Sequence, residues 1–218
     1  QGQGQSASQF VPVTMLITAG LFALASLPTF LLLNERAQPQ TGPGHAFQGA
    51  LDRLRTTLRR ARRFADLWRF LLCIVFYQAG IQTVITLAAI YAEQAMGFST
   101  TQTLLLLIVT NLTASVGALV FGQVQDRIGH RATLATTLAL WIGTVLLVWA
   151  AQGAVVFWIG ANLVGICLGA SQSAGRALVG YLSPERHVGE FFGLWGLAVK
   201  LSSIIGPVTY GLVSWISR

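Results

Sequence analysis

Charged residues are scarce in this sequence. Only 10% of its 218 residues are charged, and it contains seven acidic residues, three histidines and two cysteines. A soluble domain carries about 25% charged residues, because its outer faces must be hydrated. An ordinary water-facing domain is therefore excluded. The shortage of cysteine, histidine and carboxylate also argues against a disulfide scaffold, a zinc knuckle or a carboxylate-rich metal cage, so we expect no metal site and no cofactor.

Long apolar runs are abundant instead. Hydrophobic residues make up 54% of the chain, and its mean hydropathy is +0.64. A bilayer core about 30 Å thick is crossed by roughly 20 consecutive, mostly apolar residues in a helix. Six stretches meet this requirement: Val11–Leu33, Leu67–Ala92, Thr101–Val124, Ala132–Ala151, Ala154–Leu178 and Phe191–Trp215. They predict an all-α integral membrane protein with six transmembrane helices.

Nearly all arginines lie in alternate connections between these stretches. Eight lie between the first stretch and the start of the second, Arg127 and Arg131 lie between the third and fourth, and Arg176 and Arg186 lie around the turn from the fifth to the sixth. The positive-inside rule makes these three connections cytoplasmic, and we expect a bacterial inner (plasma) membrane. Residues 1–10 then form a polar segment on the outer side. The formal charge of +7 is thus a topology signal, and we expect no nucleic-acid partner.

Residues 34–66 are predicted to form a cytoplasmic linker that contains a helix. Gln38–Gly44 has the composition of a flexible linker. After it, apolar residues recur every three to four positions from Phe47 to Trp68, and six arginines lie between Arg53 and Arg63. This pattern predicts an amphipathic helix in the head-group layer, with its guanidinium groups among anionic lipid head groups. The alternative is a solvated basic linker that only sets the topology.

A compact motif lies between the third and fourth stretches. It reads Gly122-Gln123-Val124-Gln125-Asp126-Arg127-Ile128-Gly129-His130-Arg131. Gly122 would let a neighbouring helix approach closely, Gly129 permits a turn, and Asp126 can cap a helix start while pairing with a cation. The order of glycine, three residues, aspartate, arginine, any residue, glycine, any residue and a basic residue resembles the loop signature of the major facilitator superfamily.

A second resemblance is narrower. Leu27-Pro28-Thr29-Phe30 resembles the sixth helix of the vacuole-effluxer-like branch of that superfamily. The residues that resemble its tenth-to-eleventh helix region are Gly175-Arg176-Ala177-Leu178, Ser183-Pro184-Glu185-Arg186, Gly189-Glu190-Phe191-Phe192-Gly193-Leu194-Trp195, Lys200 and Ile205-Gly206-Pro207.

The resemblance implies a partial major-facilitator fold. Residues 11–33 would be the last helix of the first half, and residues 67–218 would form five helices of the C-terminal half. It also implies a secondary-active transporter of small solutes, with amino-acid export suggested, that works by alternating access of two six-helix halves. The chain is expected to be a piece of a longer protein, and the missing remainder of the transporter is its expected partner. We expect no transport from these residues by themselves.

Lys200 is the clearest functional candidate inside a span. It lies about 15 Å into the sixth stretch at 1.5 Å per residue, near the midplane, where an unpaired charge is costly. We expect it to face a cavity, as a counter-charge for a substrate carboxylate or as half of an ion pair. Further along, Gly206 and Pro207 predict a kink that serves either as a hinge or as a packing bend.

Buried amides form a second group of candidates. Gln78 and Gln82 share a helical face in the second stretch, with Tyr77 and Thr83 beside it. Because unpaired amides are costly against lipid, we expect this face to meet protein or a water-filled cavity, where it either contacts substrate or makes interhelical hydrogen bonds. Three further residues receive the same interpretation as substrate-binding candidates: Asn111, Asn162 and Gln172. Gly165 and Gly169 form a small-residue surface that favours helix packing.

Glu190 begins the sixth stretch, where a helix dipole favours a carboxylate. We expect it within reach of Arg176 or Arg131, in a cytoplasmic latch with Asp126 that holds one access state; plain helix capping is the alternative. The predicted gating residues are therefore Gly122, Asp126, Arg127, Gly129, Arg131, Arg176, Glu190, Gly206 and Pro207.

Two other classes of protein stay open. An intramembrane hydrolase would need a nucleophile and a base within hydrogen-bond reach, and Ser171 or Ser173 with Lys200 is the available serine–lysine pair. A noncatalytic membrane scaffold is the second alternative. We expect no enzyme, and no catalytic residue is predicted.

Overall fold

The computed structural model describes residues 7–32, 46–151 and 153–217. Within these ranges all regular structure is helical, which confirms the predicted fold class. A short 3-10 helix lies at Glu185–His187. The α-helices are α1 (Ala7–Leu32), α2 (Ala46–Ala61), α3 (Ala65–Gln94), α4 (Thr100–Ile128), α5 (His130–Trp149), α6 (Ala154–Leu182) and α7 (Val188–Ile216).

Six of these helices are long and apolar enough to cross a membrane. The candidate spans are Pro12–Leu32, Ala65–Ala88, Thr100–Ile128, His130–Trp149, Ala154–Leu182 and Glu185–Ile216. They overlap the six apolar stretches read from the sequence, with ends that differ by a few residues. α2 is the additional helix expected between the first two spans. The predicted linker Gln38–Gly44 lies outside the described residues.

The chain divides into two compact units, residues 1–46 and residues 47–218. In the first unit, α1 begins at Ala7, four residues before its expected start. Pro12 and Pro28 lie inside this helix. Its hydroxyl groups are satisfied locally: Thr18 donates to the carbonyl of Thr14 at 2.8 Å, and Ser26 donates to that of Ala23 at 2.9 Å. By length and composition, Pro12–Leu32 of α1 is a candidate membrane span.

Local sequence signals set the helix ends in the second unit. Ser99 caps α4 through a capping box with Gln102, which satisfies two orphan N–H groups of the first turn. Gly129 separates α4 from α5 with a φ of +85°, a left-handed conformation that glycine adopts without steric cost. The turn predicted at Gly129 is thus confirmed.

Three buried clusters follow one another along the helix bundle of the second unit. The first joins the beginnings of α3, α5 and α7 to the end of α6 through Leu67, Leu134, Leu178 and Phe191. The second lies where α3 ends and α4 and α6 begin, around Phe157. The third lies between them. Neighbouring helices are therefore antiparallel, and the first cluster marks the end of the bundle that carries Arg69, Arg127, Arg131, Arg176 and Arg186. We call it the arginine end.

Small residues bring α4 and α6 into close contact. A Cβ atom added at Gly165 would meet Thr110 and Thr113, and one added at Gly169 would lie 2.9 Å from the backbone nitrogen of Ala118. The expected packing role of Gly165 and Gly169 is confirmed, because no larger side chain fits between these backbones.

Candidate functional site

Gln78 is the most unusual polar residue of the bundle interior. Its exposed fraction is 3%, and its side-chain nitrogen Nε2 is buried without a hydrogen-bond partner among the described residues. Leaving a buried amide donor unpaired costs about 1–3 kcal/mol. Gln78 therefore faces protein, as its position in the apolar run predicts, and one of its hydrogen-bonding groups is unused.

The neighbours of Gln78 on α3 contact two different helices. On one side Val75 accepts a hydrogen bond from Ser202 of α7 at 3.1 Å. On the other side the hydroxyl of Tyr77 approaches Gly175 of α6, where an added Cβ would lie 3.2 Å from it. Since successive helical residues are 100° apart, Gln78 lies between the α6 and α7 contacts. Gln82, one turn further along, is half-buried.

A cavity of about 340 Å³ lies between α3, α4, α5 and α6, toward the end opposite the arginine end. Most of its walls are apolar, and its polar groups include Thr83, Thr103, Thr110 and Asn111. The amide nitrogen of Asn111 donates to the carbonyl of Leu107 at 2.8 Å. Asn111 is the one predicted substrate-binding residue that lines this cavity.

The polar residues of α6 are held mainly within the helix. Asn162 donates to the carbonyl of Trp158 at 2.8 Å. Ser171 donates to the carbonyl of Leu168 at 3.1 Å and accepts from the indole nitrogen of Trp141 at 3.4 Å. Gln172 is half-buried. The structure therefore does not bring Asn162 and Gln172 together with Asn111 in one cavity.

Lys200 lies near the middle of α7 and is exposed. It lies on the face opposite Ala198 and Ser202, which are buried, because positions two residues away from it point in nearly opposite directions. Within the described ranges its side chain forms no ion pair and no hydrogen bond to Ser171 or Ser173. The serine–lysine pair of the hydrolase alternative is therefore not assembled in this structure.

α7 runs through Gly206 and Pro207 without interruption. A Cβ atom at Gly206 would collide with the carbonyl of Ala79 and would lie 2.7 Å from the Thr83 hydroxyl oxygen of α3. Gly206 thus permits close packing of α7 on α3, which supports the packing interpretation. A hinge role for Gly206 and Pro207 stays a prediction.

The motif between α4 and α5 differs from expectation at two positions. A Cβ at Gly122 would lie 4.0 Å from the Ser173 hydroxyl oxygen, an ordinary contact. The tight approach occurs instead at Gly117, whose added Cβ would collide with the backbone of Ile166. Asp126 is exposed in the last turn of α4, makes no ion pair in the described part of the chain, and does not cap α5. The close approach expected at Gly122 and the cap expected at Asp126 are therefore wrong, while the gating roles of both residues stay predictions.

Glu190 pairs with a different arginine from those expected. The guanidinium of Arg60 donates to both its carboxylate oxygens, at 3.1 and 3.0 Å, and Thr57 donates to one of them at 3.1 Å. His187 lies 3.6 Å from the same carboxylate. Because α2 lies against the start of α7, the arginine within hydrogen-bond distance of Glu190 is Arg60 and not Arg176 or Arg131. We call Thr57, Arg60, His187 and Glu190 the Glu190 clamp.

The other gating candidates lie outside the Glu190 clamp. Arg176 lies over the Trp195 ring, with 5.5 Å between its guanidinium carbon and the ring centroid. Arg127 and Arg131 are exposed at the arginine end. Neither Thr57 nor Arg60 is among the gating residues predicted from the sequence. Their spacing of three residues, which places them on one face of α2, was the available signal.

Residues 2–215 match the family described as "Vacuole effluxer Atg22 like". The chain belongs to this family. The predicted membership in the vacuole-effluxer-like branch is thereby confirmed.

Curated relatives support this assignment. The chain is 27% identical over 212 residues to the "Uncharacterized MFS-type transporter YxiO" of Bacillus subtilis, a match that covers 97% of this chain and 49% of the relative. It is 25% identical over 218 residues to "Autophagy-related protein 22" of Cryptococcus neoformans, covering 88% of this chain and 39% of the relative. The chain thus spans half or less of the length of these vacuole effluxer-like relatives. No solved structure matches it.

Proposed function

We propose that the complete protein containing this chain is a secondary-active transporter of small solutes, with amino acids as the favoured class. The family match over residues 2–215 carries this proposal, together with the "MFS-type transporter" name of a relative. Transport would proceed by alternating access of two six-helix halves. α1 would be the last helix of the first half, and α3–α7 would be five helices of the second.

Lys200 is the proposed charge partner of the substrate carboxylate, or half of an ion pair that breaks during the cycle. It is the single lysine of the sequence. Its exposure on the α7 face that points away from α3 supports this role. An ammonium group near the middle of a membrane helix is costly unless it meets water, a substrate or an opposite charge.

Polar side chains on three helices are proposed to complete the substrate path. Gln78 has an unused amide donor, and Asn111 lines the 340 Å³ cavity. An amide can donate to a carboxylate and accept from an amine, the two groups that an amino acid offers. The remaining proposed substrate-binding residues are Tyr77, Gln82, Asn162 and Gln172.

The Glu190 clamp is proposed to act as a gate at the arginine end. It joins α2, which lies in the connection between the two proposed halves, to the start of α7. Alternating access would open and close such a contact, because one half rotates against the other. Gly129 would support this gate by fixing the turn between α4 and α5, while Arg127, Arg131 and Arg176 would keep the arginine end cytoplasmic.

A bacterial inner membrane with the arginine end on the cytoplasmic side is the proposed location. The exposed arginines of α2 are proposed to bind anionic lipid head groups; those whose side chains are described as exposed are Arg55 and Arg59. The opposite face of α2 packs Leu58 and Ala61 against the bundle, which leaves the basic face free for lipid phosphates.

Flux measurements on the complete protein test the proposed function. Vesicles containing it are loaded with a panel of labelled amino acids, and uptake and efflux are compared with protein-free vesicles, with and without a proton gradient. We expect movement of at least one amino acid that exceeds the protein-free control and changes with the gradient. Absence of flux for the whole panel would reject amino acids, and absence of flux for other small solutes as well would reject transport.

A further inference from the structure

A second cavity lies at the arginine end, where α3, α5 and α6 meet. Its volume is about 500 Å³. α3 contributes Arg69 and Cys73 to its lining, α5 contributes Arg131 and Leu138, and α6 contributes Tyr181. The residues proposed to bind substrate do not line this cavity, so the transport path leaves it without a role.

The lining changes from charged to apolar along the helix axes. Arg69 and Arg131 lie close to the starts of α3 and α5. Cys73 lies one turn beyond Arg69, and Leu138 lies two turns beyond Arg131, which places them about 6 and 10 Å deeper at 1.5 Å per residue. The cavity is therefore basic at the surface of the bundle and apolar toward its middle.

Few protein groups compete with a ligand for the guanidinium groups of Arg69 and Arg131. The described partner of Arg69 is Asp66, 3.6 Å away on the same helix; this carboxylate also lines the cavity, and the Arg69 and Asp66 side chains are 78% and 72% exposed. Such an exposed pair contributes little. Arg131 is exposed and has no ion pair within the described residues. Two guanidinium groups from different helices can bind one phosphate through paired N–H donors.

We propose that this cavity binds an anionic phospholipid, with its phosphate between Arg69 and Arg131 and an acyl chain along Leu138 and Leu178. A free phosphate ion would use the arginines but would gain nothing from the apolar wall, whereas a phospholipid uses both. Basic pockets between transmembrane helices are suited to anionic head groups. The site is separate from the basic face of α2, since no α2 residue lines it.

Native mass spectrometry of the complete protein tests this site. The protein is incubated with phosphatidylglycerol, phosphatidylcholine or inorganic phosphate, and the bound ligand is identified from the mass of the complex. An Arg69→Gln/Arg131→Gln variant is compared with Arg127→Gln/Arg186→Gln, which removes the same charge from exposed positions outside the cavity and outside the basic face of α2. We expect phosphatidylglycerol to be retained by the wild type and the control, and about tenfold less by the cavity variant. Equal retention by the two variants, or preference for inorganic phosphate, would overturn the proposal.

Two further measurements separate lipid binding from a folding defect. Leu138→Trp fills the apolar wall and leaves both arginines in place, so we expect it to lose phosphatidylglycerol while its helix content by circular dichroism is unchanged. Cys73 lines the cavity and is exposed, whereas Cys167 is buried. Cys73 should react with N-ethylmaleimide several-fold more slowly when the protein is in phosphatidylglycerol bilayers than when it is in phosphatidylcholine bilayers, because the bound lipid covers the thiol. Retention by Leu138→Trp, or labelling that is independent of lipid, would contradict the assignment.

Discussion

At the scale of single residues, the bundle interior contains polar groups of two kinds. Asn162 and Ser171 are satisfied by nearby carbonyls of their own helix. Gln78 is as deeply buried as Ser171, but its amide nitrogen has no partner in the described part of the chain. An unpaired buried donor destabilises the resting fold, and this cost supports the proposed role of Gln78 in binding.

Replacing Gln78 by leucine should therefore raise stability and impair transport. We expect Gln78→Leu to increase the free energy of unfolding by about 1 kcal/mol, because the unpaired amide is removed from the interior. Thermal unfolding of the complete protein in detergent, followed by tryptophan fluorescence, measures this change. Gln82→Leu, at a half-buried position on the same face, is the matched control and should have a smaller effect. A loss of stability in Gln78→Leu would show that the amide is structurally required.

The Glu190 clamp makes a prediction about α2. Glu190→Gln removes the charge that holds Arg60, and because the Arg60 and Glu190 side chains are 36% and 40% exposed, the contact should be worth only about 0.5 kcal/mol. We expect tryptic cleavage within α2 to become about twofold faster, since opening of α2 limits access to its arginines. Glu185→Gln removes an exposed carboxylate from the same turn and should leave cleavage unchanged. Equal rates for both variants would contradict the clamp.

At the scale of elements, the contact between α4 and α6 depends on the absence of side chains. Gly117, Gly165 and Gly169 each occupy positions at which a Cβ atom would collide with the facing helix. Without a hydrophobic driving force between helices in lipid, such close backbone approach supplies much of the packing energy. This contact therefore sets the distance between two of the four helices, α3, α4, α5 and α6, that enclose the 340 Å³ cavity.

A single added methyl group should disturb this contact. We expect Gly169→Ala to lower the free energy of unfolding by about 1–3 kcal/mol, as in overpacked cores. Gly143→Ala in α5 is the matched control, because nothing lies within 4 Å of its added Cβ, and alanine favours the helix. Thermal unfolding in the same detergent compares the two variants. An unchanged midpoint for Gly169→Ala would mean that the helices can separate without cost.

Much of the element level could be predicted from the sequence. The apolar runs gave six spans because a bilayer imposes one length on every crossing helix. The turn at Gly129 and the helix packing at Gly165 and Gly169 could be predicted. Glycine is favoured where the backbone needs a positive φ or where two helices approach closely. The partner of Glu190 could not be predicted, since charge attraction does not identify which of 13 arginines the fold brings nearest. The close helix approach expected at Gly122 is wrong for a similar reason: the register of α4 against α6 decides which glycine contacts the neighbouring helix.

At the scale of the whole molecule, the arginines mark one end of the bundle. The beginnings of α3, α5 and α7 and the end of α6 meet there in one buried cluster. This arrangement agrees with the alternation of basic and uncharged connections along the sequence. The chain belongs to the vacuole effluxer Atg22-like family and spans 49% of one relative and 39% of another.

The orientation in the membrane can be checked directly. In a Cys73→Ser/Cys167→Ser background, Ala95→Cys places a thiol at the end opposite the arginine end, and Arg186→Cys places one at the arginine end. A membrane-impermeant maleimide added to intact cells should label Ala95→Cys, and should label Arg186→Cys only after permeabilisation, because the arginine end is proposed to be cytoplasmic. The reverse pattern would invert the proposed topology.

Gradient-driven flux in the complete protein tests the transport proposal most directly through Lys200. Vesicles carrying wild type, Lys200→Ala or Lys200→Arg, with equal inserted protein, are compared for the amino acid that the wild type moves. We expect Lys200→Ala to abolish the flux and Lys200→Arg, which keeps the charge, to retain part of it, since a carboxylate needs a cation near the middle of the membrane. Unchanged flux in Lys200→Ala would contradict the proposed role and remove Lys200 from the transport path.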